Sequence, residues 1–191
     1  MVDPINFTNF NRTDIELEET ILFGLLVANK NALTTARLLD QFLKSYVPFG
    51  ENPFQSLKLM DLSFLTDRLK QFGFGCYNNK AKGIHQLVRS GINLRSCTTD
   101  DLEAIHGIGR KTSRLFILHT RPNARCIPLD THILHYLRDL GYSVPKSTPA
   151  SKKNYEIVER LCIQLAREDN KACVDWDLDV WRVYREKAAS C

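Results

Sequence analysis

The chain is 191 residues long, with 43% hydrophobic and 25% charged residues and a formal net charge of +4. That composition sits on the globular average and excludes a disordered, collagenous or low-complexity chain, and the length suits one domain or a single fold with two lobes. The longest apolar run, Leu22 to Ala28 with Ile21 before it, falls far short of the roughly 20 residues that span a bilayer, and the opening residues lack a basic segment, so neither a membrane span nor a secretory signal is expected.

Taken in order, the elements read as all-α. Ile15, Glu18, Ile21, Leu22, Leu25 and Leu26 recur at helical spacing, as do Leu33, Ala36, Leu39, Phe42 and Leu43 after a break near Asn29 to Asn31. Loop chemistry follows at Pro48-Phe49-Gly50 and Asn52-Pro53. A short helix is expected around Leu62 to Gln71, ended by Gly73, and another from about Asn78 to Ser90, ended by Gly91. Thr98 or Thr99 ahead of Asp100, Asp101 and Glu103 suits a helix start, because hydroxyl caps and carboxylates match the positive end of the helix dipole. That helix must stop at His106-Gly107-Ile108-Gly109, and periodicity resumes from Lys111 to Thr120. Asp130 can cap a further helix running to Gly141, and two more are expected at about Lys152 to Arg167 and Asp177 to Lys187.

Charge is segregated along this series. Met1 to Asp67 holds 5 basic and 9 acidic residues, Arg68 to Arg95 holds 6 basic and no acidic ones, and Ala104 to Leu129 holds 5 basic and no acidic ones. Two such blocks suggest a polyanion-binding face, with solvated helix faces as the plainer alternative. The six cysteines, Cys76, Cys97, Cys126, Cys162, Cys173 and Cys191, lie 21, 29, 36, 11 and 18 apart. They contain no paired spacing that chelates zinc or an iron-sulfur cluster, and read as reduced thiols of an intracellular protein.

The chemistry concentrates in Asp101-Leu-Glu-Ala-Ile-His-Gly-Ile-Gly-Arg-Lys-Thr-Ser113, two helices joined by a glycine turn. Such a turn presents consecutive backbone N–H groups at a helix start, and Gly107 and Gly109 leave no side chain between them and a phosphate. Arg110, Lys111 and Arg114 cluster just beyond it, and 19 residues after Lys111 comes Leu129-Asp130-Thr131-His132.

These residues resemble the helix-hairpin-helix DNA glycosylases, the superfamily that includes endonuclease III. Its lyase members carry G-[IV]-G-x-K-[TV]-[AS] followed some 18 to 20 residues later by [VL]-D-[TV]-H, which Gly107 to Ser113 and Leu129 to His132 reproduce. Gly75-Cys-Tyr-Asn-Asn-Lys-Ala81 resembles a second block of the family, and Leu25-Leu-Val-Ala-Asn29 resembles the early helix whose last residue fills the gap left by a flipped base. The resemblance covers roughly residues 15 to 140. It implies a two-lobed all-α fold: one unit over 1–191, a six-helix lobe over 25–120 with the hairpin at 99–120, and a second lobe from 1–24 plus 121–191.

The resemblance also implies an activity, base release by a glycosylase with AP-lyase action on double-stranded DNA holding a damaged or modified base. Lys111 would attack the sugar as a covalent catalyst, and Asp130 would stabilise the sugar cation or deprotonate the nucleophile. Lys111 should then be partly desolvated and near cations such as Arg110 and Arg114. Read alone, Lys111 is also a phosphate contact and Asp130 an N-cap. Asn29, Cys76, Tyr77 and Asn78 are the candidates to fill the gap of the flipped base, although the family more usually has leucine or tyrosine where Cys76 stands, and Tyr77 reads equally as core. Lys80, Lys82 and Arg89 read as phosphate contacts or solvent-facing residues. Trp181 and Tyr184, at i and i+3, read as core or as a stacking surface for the base.

Cys162, Cys173 and Cys191 do not reproduce the family's cluster spacing, so no iron-sulfur cluster is expected. His132 and His135 read as surface or packed histidines, which leaves no metal site and only a monovalent cation at the hairpin open. The expected form is a monomer in the cytoplasm or nucleoid, or the host cytoplasm for a viral chain. Two rivals stand beside the glycosylase. One is a base-hypermodification enzyme of the same fold, like relatives encoded by bacterial viruses, that attaches amino groups to activated hydroxymethyl-thymine. The other is a non-catalytic DNA-binding module.

Overall fold

The computed structural model describes residues 2–28 and 30–189, with side chains to Tyr184. Among them are ten helices and no strand: α1 (Asp14–Val27), α2 (Ala32–Tyr46), α3 (Pro53–Lys58), α4 (Leu62–Gln71), α5 (Tyr77–Leu87), α6 (Thr99–Glu103), α7 (Arg110–Thr120), α8 (Thr131–Asp139), α9 (Lys152–Glu168) and α10 (Cys173–Ala189). No helix among the described residues is long and apolar enough to cross a membrane.

The apolar run noted in the sequence is the hub. Along α1, Ile21, Leu22, Phe23, Leu25 and Leu26 are all buried, so the C-terminal half of the helix is apolar around its whole circumference, as a central helix must be. It packs against α2, α3, α5 and α7. The Thr13 and Glu16 capping box fixes its start: Glu16 N–H donates to Thr13 Oγ1 and Thr13 N–H to Glu16 Oε2. α8, α9 and α10 form a second group, in which α10 contacts α8, α9 and α7. Its centre holds Trp176 and Tyr155, both essentially without exposure.

Two element boundaries differ from the sequence reading. Asn52-Pro53 opens the six-residue α3 instead of remaining loop, because proline at the first helical position gives up only an N–H that has no partner there. α10 begins at Cys173 rather than Asp177, and the added turn carries Trp176 into the core, edge-on to Tyr136 with centroids 5.5 Å apart.

The hairpin is seated by α5. A Cβ at Gly83 would lie 2.4 Å from the His106 carbonyl oxygen, so only glycine lets the two backbones approach this closely. One turn on, Gln86 grips the hairpin at both ends of its amide: Nε2 donates to the Ala104 carbonyl at 3.1 Å, and Oε1 accepts the His106 N–H at 2.8 Å.

Candidate active site and nucleic-acid interface

Gly107 has φ +83°, the left-handed region that glycine adopts without strain, and no atom lies within 4 Å of where its Cβ would be. Gly109 serves as N-cap of α7 with no side-chain cap, unlike α1, α2, α4, α6, α8 and α9, whose caps are Thr, Asn, Asp or Ser. Both glycines are exposed. The first N–H groups of α7 thus face outward without a side-chain acceptor, the condition for gripping an anion such as a phosphate.

Lys111 and Asp130 come together. Both line one apolar pocket of about 180 Å³, walled by Phe7, Phe23, Leu115, Ile133 and Leu178 and flanked by Trp181. They also line an outer groove that runs past Gly107 and Gly109 to Pro149 and includes Trp181 and His132. Asp130 caps α8 with Oδ1 accepting the Ile133 N–H at 3.0 Å, which fixes the carboxylate's direction. Lys111 is exposed, in contrast to the desolvated setting expected for it.

The pocket floor is ionisable, and the sequence reading missed it. His119 and Asp177, both buried, face each other with Nε2 to Oδ2 at 3.3 Å, and Thr8 Oγ1 lies 2.7 Å from His119 Nδ1. Burial raises the Asp177 carboxyl above the usual carboxylate range, against the hydrogen bond and charge of His119, and the nearby charge of Asp130 adds to the rise while that of Lys111 opposes it. Arg12 secures this floor, donating to the carbonyls of Asn9 at 2.9 Å and His119 at 3.0 Å and to that of Phe7. A helical signal was present: Lys111, Leu115 and His119 recur at i, i+4 and i+8 on α7, and Asp177 and Trp181 at i and i+4 on α10. The N-terminal segment, whose Pro4, Ile5 and Phe7 line the pocket, had no such signal.

Several expected contacts are corrected. Arg114 is buried and not a DNA contact: it pairs with Glu103, meets Glu159 Oε1 at 3.1 Å and lies 4.9 Å from the Tyr155 ring centroid. Burial opposes its charge, and the attraction of Glu159 and Glu103 outweighs that and raises its pKa. Arg110 donates to the Ala150 carbonyl at 2.7 Å and has Glu103 at 3.8 Å, so the cations expected to press on Lys111 are engaged elsewhere. Lys80 is also buried, with Nζ on the Leu26 carbonyl at 2.6 Å, and burial lowers its pKa, so it holds α5 to α1 instead of reaching phosphate. Arg89 donates to the carbonyls of Lys58 and Met60 at 2.6 and 2.7 Å.

Tyr184 stands apart from the pocket, packed against Tyr136 and bonded to Asp139, so of the aromatic pair only Trp181 reaches the site. Cys76 is exposed at the start of α5 with φ +56°, Asn78 is exposed, and Tyr77 is half-buried under the Lys70 ammonium. Lys82 is exposed. Asn29 and Cys191 lie outside the described residues.

No model of a known protein family matches the sequence. Among solved structures, the fold is similar to that of the Methanocaldococcus jannaschii 8-oxoguanine glycosylase/lyase in complex with 15mer DNA containing 8-oxoguanine, with a TM-score of 0.71 and 22% identity over 93% of this chain and 85% of that one. It is also similar to the 8-oxoguanine DNA glycosylase of Thermotoga maritima, with a TM-score of 0.69 and 22% identity over 90% of this chain and 80% of that one. MBOgg1 in complex with a low-affinity DNA ligand matches with a TM-score of 0.63 and 16% identity over 90% of this chain and 61% of its own. The all-α fold expected from the sequence is therefore that of known glycosylases.

Proposed function

We propose that this protein is a DNA glycosylase with AP-lyase activity, taking a damaged or modified base from double-stranded DNA. The observation that carries the reading is the meeting of Lys111 and Asp130 in the lining of one apolar pocket, beside a hairpin whose exposed glycines lead into the uncapped start of α7. The hairpin would hold a phosphate, and the target nucleotide would swing into the pocket, because its sugar carbon is out of reach within the duplex. Trp181 offers a stacking face, and the His119 and Asp177 pair a polar edge, to the extruded base.

In this reading the Lys111 ammonium first gives a proton to Asp130 or to water, and the amine then bonds to the sugar C1′ while the glycosidic bond breaks and its electron pair leaves with the base. The Asp130 carboxylate stabilises the developing sugar cation or takes the ammonium proton. Ring opening gives a Schiff base, from which β-elimination cuts the strand on the 3′ side. The solved structures named for 8-oxoguanine make a duplex holding that base the first probe, within a panel of oxidised purines, oxidised pyrimidines and hypermodified thymines.

Borohydride reduces a Schiff base to a stable amine, so wild type incubated with that panel is expected to give a covalent protein and DNA adduct, and Lys111→Gln none. Asp130→Asn keeps an acceptor for the cap and should release base about 10²- to 10⁴-fold more slowly at similar DNA affinity. Mass spectrometry of DNA and small molecules separates the rivals: a modifying enzyme changes the mass of an activated thymine and frees no base, and a binding module does neither. Absence of adduct and of free base across the whole panel would sink the proposal.

A further inference from the structure

Lys111 and Asp130 belong to different elements, joined by nine residues without a regular helix between α7 and the α8 cap. Chain continuity alone does not fix their separation. It depends on what holds residues 126–130, and three of the hydrogen bonds that do so come from α9.

Two residues one turn apart on α9 do the holding. The Tyr155 hydroxyl donates to the Ile127 carbonyl at 3.0 Å and accepts the Leu129 N–H at 2.8 Å. Glu159 Oε1 accepts the Ile127 N–H at 3.1 Å and, with the same oxygen, Arg114 Nε at 3.1 Å. Arg114 lies on α7 one turn after Lys111 and covers the Tyr155 ring. From the outer side, Thr148 Oγ1 donates to the Leu129 carbonyl at 2.9 Å. Tyr155 and Glu159 thereby grip both the helix that carries Lys111 and the segment that ends in Asp130.

A buried ion pair is poor material for stability alone, since well-packed apolar side chains of similar volume generally serve as well or better. What a hydrogen-bonded network adds is direction, because each partner accepts only a narrow range of distance and angle. We infer that Arg114, Glu159 and Tyr155 are positioning residues that set Lys111 and Asp130 against each other. The inference rests on the reading of those two as the reacting pair.

The test uses a duplex with one preformed aldehydic abasic site, on which the single-turnover rate of borohydride trapping reports the amine's attack without base release. A duplex with a tetrahydrofuran abasic analogue, which cannot form the Schiff base, reports affinity. Tyr155→Phe keeps the ring and its packing and removes both hydroxyl bonds. It is expected to slow trapping by about 10²-fold, the usual cost of a displacement of about 1 Å at a reacting centre, with affinity for the analogue within about twofold of wild type. Glu159→Gln, which keeps an acceptor, should trap faster than Glu159→Leu. Thr148→Val, at an exposed position that leaves the core intact, should slow trapping in the same direction and keeps the test open if Tyr155→Phe fails to fold. Rates per folded molecule equal to wild type in Tyr155→Phe, or in Thr148→Val where only that variant folds, overturn the inference, as does a parallel fall in rate and affinity. A wild type that never traps overturns the reading of Lys111 and this inference with it; trapping by wild type and by Tyr155→Phe at one rate overturns the positioning role alone.

Discussion

The outer edge of the hairpin and the layer just behind it use the same residue types to opposite ends. At the edge, Gly107, Gly109 and Lys111 are exposed and the start of α7 has no side-chain cap. One turn further, Arg114 is 4% exposed and bound by Glu103 and Glu159. α5 repeats the contrast in two residues, with Lys80 buried on the Leu26 carbonyl and Lys82 exposed. A run of basic residues in a sequence therefore reports a sum of charge, and helical geometry decides which of those charges meet solvent. Of the two basic blocks, Arg121 is engaged by the Leu94 carbonyl at 3.2 Å and the Cys97 sulfur at 3.3 Å, whereas Arg95, paired with Asp14 at 2.7 Å, stays exposed. The exposed positive charge is therefore less than the count along the sequence suggests.

The largest effect that would break this contrast is on stability. Arg114→Met removes the guanidinium and leaves the buried Glu159 carboxylate without its charge partner, while Glu103 keeps Arg110 and Ser113, so a loss of about 3–5 kcal/mol is expected. Lys111→Met, one turn away at the exposed edge, should stay within about 0.5 kcal/mol of wild type. Urea unfolding at neutral pH measures both. Similar losses for the two would mean that edge and inner layer are not distinct environments.

The hairpin's two glycines sharpen the contrast next, because they are glycine for different reasons. At Gly107 the left-handed backbone disfavours any β-branched residue by about 1–3 kcal/mol, while the space around it is open. Gly109 is extended, at φ −90° and ψ 179°, a conformation every residue accepts. Gly107→Val should cost stability and weaken DNA binding about tenfold or more, equally for all duplex sequences, because phosphate contacts position the protein without reading bases. Gly109→Ala should cost up to about 1 kcal/mol, the difference between glycine and alanine at an N-cap, and lower affinity by crowding the phosphate. Binding isotherms at two salt concentrations, with a panel of sequences, decide it; a loss confined to one sequence or one lesion would contradict a phosphate-gripping hairpin.

What the sequence made legible was local. Helix ends marked by Gly73, Gly91 and Gly141, the Thr98 cap and the hairpin all rest on interactions within a few residues. Lys111 and Asp130 were visible through their spacing and their resemblance to a known family. The partners that decide which side chains are buried were not: Glu159 lies 45 residues from Arg114, Leu26 lies 54 from Lys80, and Thr8 lies 111 from His119. Periodicity carries no record of such distances. Gly83 and Gln86 stayed hidden for the same reason, since their task is to seat a hairpin about 20 residues further along the chain.

The smallest predicted effect lies where edge and inner layer meet, at the pocket floor. Asp177 faces the pocket yet is buried, and burial is the largest influence on its raised pKa, ahead of the opposing pull of His119 and Lys111. A carboxyl whose folded pKa exceeds its unfolded value of about 3.9 binds its proton more tightly in the fold. Its contribution to stability is then fully present below the unfolded value and is lost as pH rises through the folded one. Asp177→Asn is neutral at every pH and still offers His119 an oxygen acceptor. At pH 7 to 8 the variant should therefore melt at or a few degrees above wild type, and the difference should shrink toward zero as both are acidified toward pH 4. Melting curves for the pair across that range check the sign. A variant that melts below wild type at pH 7, with a gap that does not vary with pH, would show that the His119 pairing outweighs burial. The pocket would then offer an incoming base a settled carboxylate in place of a group poised to take a proton.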